Sequence, residues 1–365
     1  MSLTYIVRRL PVLLVAAVLA LAACAGQTAP ATPSGSAPSG SAGPSDAPQR
    51  WTAPRAGPPG MGSSEPDGVF PRTVAHFGGT TEIPAAPQRV VVLATGQLDA
   101  LLALGVTPVG GTRGDAADLV PAYLAEAFPE RAAALAAMAD LGLRLEPNLE
   151  SVANARPDLI LANEAGAEEL YPQLSRIAPT VLTEGTGVNW KQDLLILAHG
   201  LGRAEQAQRW LDAYHADAAA LGDGLDGGLG GGVDGRVDGG VASRPTVSLL
   251  RVTADRIRVF GVASFTGSVA EDAGLPRPPS QTFAKTSEDI STEQLARADG
   301  GHVFYGVQGG EGAAPELLGG PLWRSVPAVA EGRATAVDDD VWYLNAGPVA
   351  ARQVLAGLVA ATAET

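Results

Sequence analysis

The stretch from Trp190 to Leu221 constrains this chain more than any other. Ala207, Trp210, Leu211, Tyr214, Ala218 and Leu221 recur at three- and four-residue steps, the apolar stripe of an amphipathic helix. Ahead of it, Leu194, Leu195, Leu197 and Leu201 continue an apolar run up to His199-Gly200-Leu201-Gly202. Glycine is costly inside a helix and common just past its end, which predicts a break there and a second helix from about Arg203. At ~1.5 Å per residue the second piece spans roughly 27 Å, about the width of a small domain. Strand–helix alternation precedes this stretch and resumes after it. The expected fold is α/β: two Rossmann-like lobes with mainly parallel sheets, joined over residues 190–221 by one long rigid helix.

A chain of 365 residues is comfortable for two such lobes, and a hydrophobic content of 46% supplies their cores. The formal charge of −14 excludes a nucleic-acid binder, which needs clustered lysine and arginine. Cys24 is the sole cysteine, so internal disulfides and cysteine-based zinc clusters are excluded.

The position of Cys24 explains its presence. Arg8 and Arg9 form a basic start, and Leu10 to Ala23 an apolar run too short to span a bilayer. Leu21-Ala22-Ala23-Cys24 then resembles the lipobox of bacterial lipoproteins, which implies a signal peptide over 1–24 and lipidation at Cys24. Residues 25–68 are rich in proline, serine and glycine. They bury too little to offset chain entropy and are expected to be a disordered tether, with Trp51 and Met61 lacking evident partners.

An N-terminal lobe is expected over 69–189. Arg89-Val90-Val91-Val92-Leu93-Ala94 has the continuous β-branched character of a strand buried on both faces. Helix is predicted at Leu98–Leu104, strand at 106–111, helical segments through Ala122–Ala139, then a short helix at Leu149–Ala155. Strand at Asp158–Ala162, helix at Glu168–Ile177 and strand at Thr180–Thr183 complete the alternation. Residues 222–240 read as a flexible glycine-rich insertion. The C-terminal lobe, 241–365, opens with strands at Thr246–Arg251 and Arg256–Gly261 around a turn. Helices at Val269–Ala273 and Glu293–Ala298, strands at His302–Tyr305 and Ala334–Val337, and a closing helix at Pro348–Thr362 follow.

Asn148-Leu149-Glu150 and Ser291-Thr292-Glu293 share one design, a capping residue with glutamate two positions on, and one copy lies in each lobe. With Phe70-Pro71-Arg72-Thr73-Val74, Pro87-Gln88-Arg89-Val90-Val91, Leu98-Asp99-Ala100-Leu101-Leu102-Ala103-Leu104-Gly105-Val106 and Trp323…Gly332-Arg333, the ordered set resembles bacterial ABC-transporter substrate-binding proteins of the iron–siderophore and vitamin B12 type. That resemblance implies a ligand cleft between the lobes, and Glu150 and Glu293 as docking carboxylates for arginines of the membrane permease. It implies no catalytic residues, no protein-held metal and no resident cofactor. A monomer is expected, lipid-anchored on the outer face of the cell membrane and partnered with a permease and its ATPase.

Doubly wound sheets bind ligands beyond strand C-termini. On that rule Arg113, Tyr171, Trp190, Arg251, Phe265, Trp342 and Tyr343 are the cleft candidates, the two arginines as partners for an anionic chelate. A ferric siderophore is the first expected ligand. Haem is the second, with Tyr171, Tyr305 or Tyr343 as possible axial ligands, and cobalamin the third. The enzyme alternative lacks support: there is no dinucleotide-binding glycine spacing, no P-loop and no Gly-x-Ser-x-Gly elbow. A lipid-anchored interaction protein without a small ligand is the remaining class.

Overall fold

The computed structural model describes residues 52–114, 117–185, 187–229, 244–253 and 256–363. The signal segment, Cys24, the tether up to residue 51 and residues 230–243 lie outside the described residues.

Val90, Val91 and Val92 form β3 (Val90–Val92), buried on both faces as its unbroken β-branched run requires. Before it, β1 (Arg72–His76) and β2 (Gly79–Ile83) pair as an antiparallel hairpin. After it come α1 (Gln97–Ala103), β4 (Gly110–Arg113), β5 (Ala139–Leu143), β6 (Glu146–Pro147), α2 (Leu149–Asn154), β7 (Leu159–Asn163), α3 (Tyr171–Ile177) and β8 (Thr180–Thr183). The sheet order is β6-β5-β4-β3-β7-β8, parallel except at the β6 edge. Two expectations need correction here. The strand predicted at 106–111 starts only at Gly110, and the helical reading up to Ala139 overran into β5.

The crossing is made by α4 (Trp190–Leu201) and α5 (Ala204–Leu229). Gly202 caps α4 in the left-handed region at φ 67, so the joint is two helices meeting at a bend rather than one rigid rod. Helix α5 also runs past Leu221 into the stretch expected to be flexible. The Arg244 guanidinium donates to the Gly222 carbonyl at 2.7 Å and to the Ala273 and Gly274 carbonyls at 3.1 Å, tying α5 to the second lobe.

That lobe contains β9 (Val247–Val252), β10 (Ile257–Phe260), α6 (Phe265–Asp272), β11 (Ser287–Ile290), β12 (His302–Val307), β13 (Ala334–Val337) and α7 (Pro348–Ala363). Its order is β11-β10-β9-β12-β13. Strands β9, β12 and β13 are parallel, while β10 is antiparallel to both neighbours, so this sheet is mixed. Strand β11 escaped prediction because it is a polar edge, where Asp289 pairs with Arg258 of β10 at 2.8 Å. Glu293 sits in a 3-10 helix, Thr292–Ala298, closed by the Ser291–Gln294 capping box.

One core runs through both lobes. It holds Trp190 and Leu194 of α4, Leu211 and Tyr214 of α5, Val269 of α6 and Leu355 of α7. Inside it the ammonium of Lys191 pairs with the Asp272 carboxylate, both side chains 0% exposed, and Tyr214 Oη donates to that carboxylate at 3.1 Å.

Residues 52–68 are ordered, which corrects the tether boundary. Arg55 pairs with Asp272 at 3.1 Å, Gln192 donates to the Ala56 carbonyl at 2.9 Å, and Ser63 N donates to His199 Nδ1 at 3.2 Å. The buried Arg72 guanidinium closes the strap. It reaches the carbonyls of Pro66 (2.6 Å), Glu65 (2.8 Å) and His199 (2.7 Å), the last near the C-terminus of α4. Polar composition conceals this order, because long-range polar contacts hold much of the strap, although Ala53 and Met61 also pack inward. Met61, which lacked an evident partner, packs against the shared core.

Candidate functional site

The C-terminal ends of β3 and β4 face the loop between β13 and α7, and the two lobes meet there at close range. Gly96 has φ 84, and a Cβ on it would lie 2.6 Å from the Ala346 carbonyl oxygen. A Cβ on Gly347 would lie 2.4 Å from the Asp99 carboxyl carbon, so both sides need glycine to approach. The contact is polar as well as close. Asp99 of α1 accepts from Val349 N at 2.7 Å, Ala350 N at 2.9 Å and Tyr123 Oη at 2.8 Å, satisfying the start of α7. Burial pushes its carboxyl up to about 6, against the pull of those donors.

The cleft opens around this contact. On the N-terminal side Thr95, Thr112, Arg113 and Asp118 face Leu344 and Asn345 across a cavity of ≈ 20 Å³, room for about one water. Leu344 also borders the larger space, ≈ 310 Å³, beyond the ends of β12 and β13. Gln308, Gly309 and Gly310 form one wall of it and Asp338, Asp339 and Asp340 another. A third cavity of ≈ 20 Å³ lies behind Gly96, between Gln97, Asn163, Thr183 and Asp193. Burial pushes the Asp193 carboxyl up to about 7, although it accepts from Gly185 N at 3.0 Å and Glu184 N at 3.1 Å. The Thr112 hydroxyl and both amide atoms of Gln97 are buried without a hydrogen-bond partner. Such atoms cost stability unless water or a ligand meets them.

Of the seven cleft candidates, the structure brings Arg113 and Arg251 to this region. Arg113 lines the small cavity and pairs with Asp140 at 3.1 Å. Arg251 makes a two-pronged pair with Asp339 at 2.7 and 2.6 Å. The aromatic candidates other than Tyr171 are packed largely inside the protein, although Trp190 also lines the third cavity. Trp190 is buried with its indole N–H on Ser268 Oγ at 3.2 Å and its ring edge-on to Phe265, itself buried. Trp342 is buried and stacked on Phe304, while Tyr343 donates to the Phe304 carbonyl at 3.0 Å and stacks on Phe260.

Tyr171 lies apart, edge-on to His76 beside the β1–β2 hairpin. His76 Nδ1 accepts from Gly78 N at 3.0 Å and Leu182 N at 3.2 Å, which leaves Nε2 to donate to Thr81 Oγ1 at 2.9 Å. A second proton would meet two N–H groups, and burial holds this imidazole down at about 4. The native state therefore binds fewer protons than the unfolded chain between about pH 4 and 6.5. His76 contributes stability that is present above pH 6.5 and lost as pH falls toward 4. Histidine NMR should find one ring titrating near pH 4; four rings all titrating near 6.5 would contradict this geometry.

A family model described as periplasmic binding protein matches residues 90–228. The probable siderophore-binding lipoprotein YfiY of Bacillus subtilis is 31% identical over 307 residues, covering 80% of this chain and 88% of the relative. The chain belongs to the periplasmic binding proteins. Another relative, the Fe(3+) dicitrate-binding periplasmic protein FecB of Escherichia coli, is 26% identical over 295 residues, covering 80% of this chain and 90% of FecB. Staphylococcus aureus SirA, solved in complex with staphyloferrin B, shares the fold with a TM-score of 0.66 at 24% identity, over 79% of this chain and 97% of SirA.

On this periplasmic binding protein Glu150 and Glu293 are both exposed, each in the first turn of its short helix. Leu145, on the hairpin leading into α2, and Leu322, on a turn packed against the Thr292–Ala298 helix, are exposed on the same two lobes. Sequence reasoning missed Thr112, Asp118, Gln308 and Asp338–Asp340. The rule that ligands lie beyond strand ends, applied to β12 and β13 rather than to aromatic residues, would have found the last four.

Proposed function

We propose that this protein is the extracytoplasmic substrate-binding component of an ABC importer, capturing a ferric siderophore and presenting it to the membrane permease. The observation that carries the reading is the pair of cavities beyond the strand C-termini, a small one between the lobes and a larger one at the mouth of the C-terminal lobe. They lie in a chain matching most of a relative named as a siderophore-binding lipoprotein. A cavity of ≈ 310 Å³ falls at the lower end of small-molecule sites. The protein binds and releases its ligand without chemistry and needs no resident cofactor. Mass spectrometry of the ligand co-purified from native cells tests this: a ferric chelate is expected, and haem or cobalamin in its place would overturn it.

The exposed carboxylates Glu150 and Glu293, one per lobe, are the docking points for cationic side chains of the permease. Lipidation at Cys24 holds the protein at the membrane, since a lipid-modified cysteine carrying more than one chain suffices for stable attachment. Cells expressing Cys24→Ala should release the protein on fractionation, whereas undiminished membrane retention would refute the anchor.

A further inference from the structure

We propose that the cleft selects ferric chelates that carry positive charge, and discriminates against polyanionic ferric carboxylates. The inference deepens the siderophore reading above and rests on it. Arg113, which lines the smaller cavity, is already paired with Asp140, and Arg251 is paired with Asp339 of the larger one. Asp118, Asp338 and Asp340 remain with no ion pair among the described residues. Four carboxylates, Asp118, Asp338, Asp339 and Asp340, thus line the two neighbouring cavities, against one lining guanidinium, that of Arg113.

The carboxylates act on one another. Burial raises the Asp340 carboxyl, and Asp338, Asp339 and Asp118, the last from the opposite lobe, raise it further; Arg251 opposes them least of all. Three of these carboxylates belong to the loop after β13, and Asp118 adds a fourth from the opposite lobe. Asp338 spends one oxygen on its own turn, accepting from Asp340 N at 2.8 Å and Val341 N at 3.2 Å, which leaves the other for the cavity.

A second feature points to a ligand in the neighbouring cavity that Asp118 lines. The Thr112 side chain lines the N-terminal part of the cleft, 7% exposed, and its hydroxyl has no partner. A buried hydroxyl can donate to a chelate oxygen or accept from an ammonium, so it serves a mixed polar cation well. Taking an anionic chelate instead would require breaking the Arg251–Asp339 pair and leaving a buried carboxylate unpaired.

Three ferric complexes of graded charge test the proposal on the intact protein: ferrioxamine B, a trihydroxamate complex bearing a free ammonium; its N-acetylated neutral form; and ferric dicitrate, which is anionic. Affinity is expected to fall in that order, by about tenfold or more from cation to anion at low salt, with the gap narrowing as salt rises. In Asp338→Asn/Asp340→Asn, which keeps the oxygens that cap the turn, the preference for ferrioxamine B over its acetylated form should shrink about three- to tenfold. Ferric dicitrate binding as tightly as ferrioxamine B to the wild type overturns the inference alone, as does an unchanged preference in a folded double variant. Binding of none of the three, with haem or cobalamin bound instead, overturns the siderophore reading and this inference with it.

Discussion

Glu150→Ala combined with Glu293→Ala is expected to abolish most uptake while ligand affinity and fold remain near wild type. Each glutamate projects from the first turn of a short helix, lines none of the three cavities, and is exposed. Neither takes part in an ion pair within the protein among the described residues, so removing them strands no internal partner. Exposed pairs are individually weak, ~0–1 kcal/mol, but charge pairs desolvated across an interface couple by ~1.5–7 kcal/mol. Two such contacts on opposite lobes would also fix the orientation of the cleft over the permease. Reversal of both to arginine should be worse, because like charges would then face each other. Uptake and affinity measured on the same double variant decide it: a collapse of affinity along with uptake would place these residues in the fold or the cleft.

The second large effect is on stability. Lys191→Met is expected to cost ~3–5 kcal/mol, because it leaves Asp272 charged and without its ammonium partner in a site where both side chains are fully buried. Burial lowers the Lys191 ammonium and Asp272 opposes that shift, so the pair is held together by mutual need rather than by surplus attraction. Arg55 contacts the same carboxylate from a half-exposed position, and Arg55→Ala should cost only ~0–1 kcal/mol. With a urea m-value of ~3 kcal/mol/M, the first change lowers the unfolding midpoint by about 1 M and the second by little. Equal effects would show that the carboxylate is solvated in solution, contrary to the packed joint.

The sequence carried the architecture where burial imposes a period. The three valines of β3, the stripe from Ala207 to Leu221 and the bend at Gly202 all appear where their pattern placed them. The closing helix and β13 also match closely, since each pairs an apolar period with a clear stop. Legibility failed where order comes from long-range polar contacts. Nothing local announces that Arg72 will hold residues 65–66, or that Arg244 will fasten the glycine-containing end of α5. The cleft was the least legible part. Aromatic residues near strand ends read as ligand contacts, yet in a two-lobed protein the joint itself needs a core, and Trp190 and Phe265 supply it. Trp342 and Tyr343 pack on the C-terminal lobe for a similar reason. Asp338, Asp339 and Asp340 follow one another on the loop after β13, but a run of aspartates matches no ligand motif, and Asp118 comes from the other lobe.

In the proposed function the protein captures a ferric chelate and returns it unchanged. Calorimetric titration of the purified protein with ferric siderophores, the same compounds without iron, haem and cobalamin tests it most directly. Micromolar or tighter binding of at least one ferric siderophore is expected, with weaker binding of its iron-free form and recovery of the intact complex after denaturation. Binding of haem or cobalamin alone, or recovery of a cleaved chelate, would contradict it.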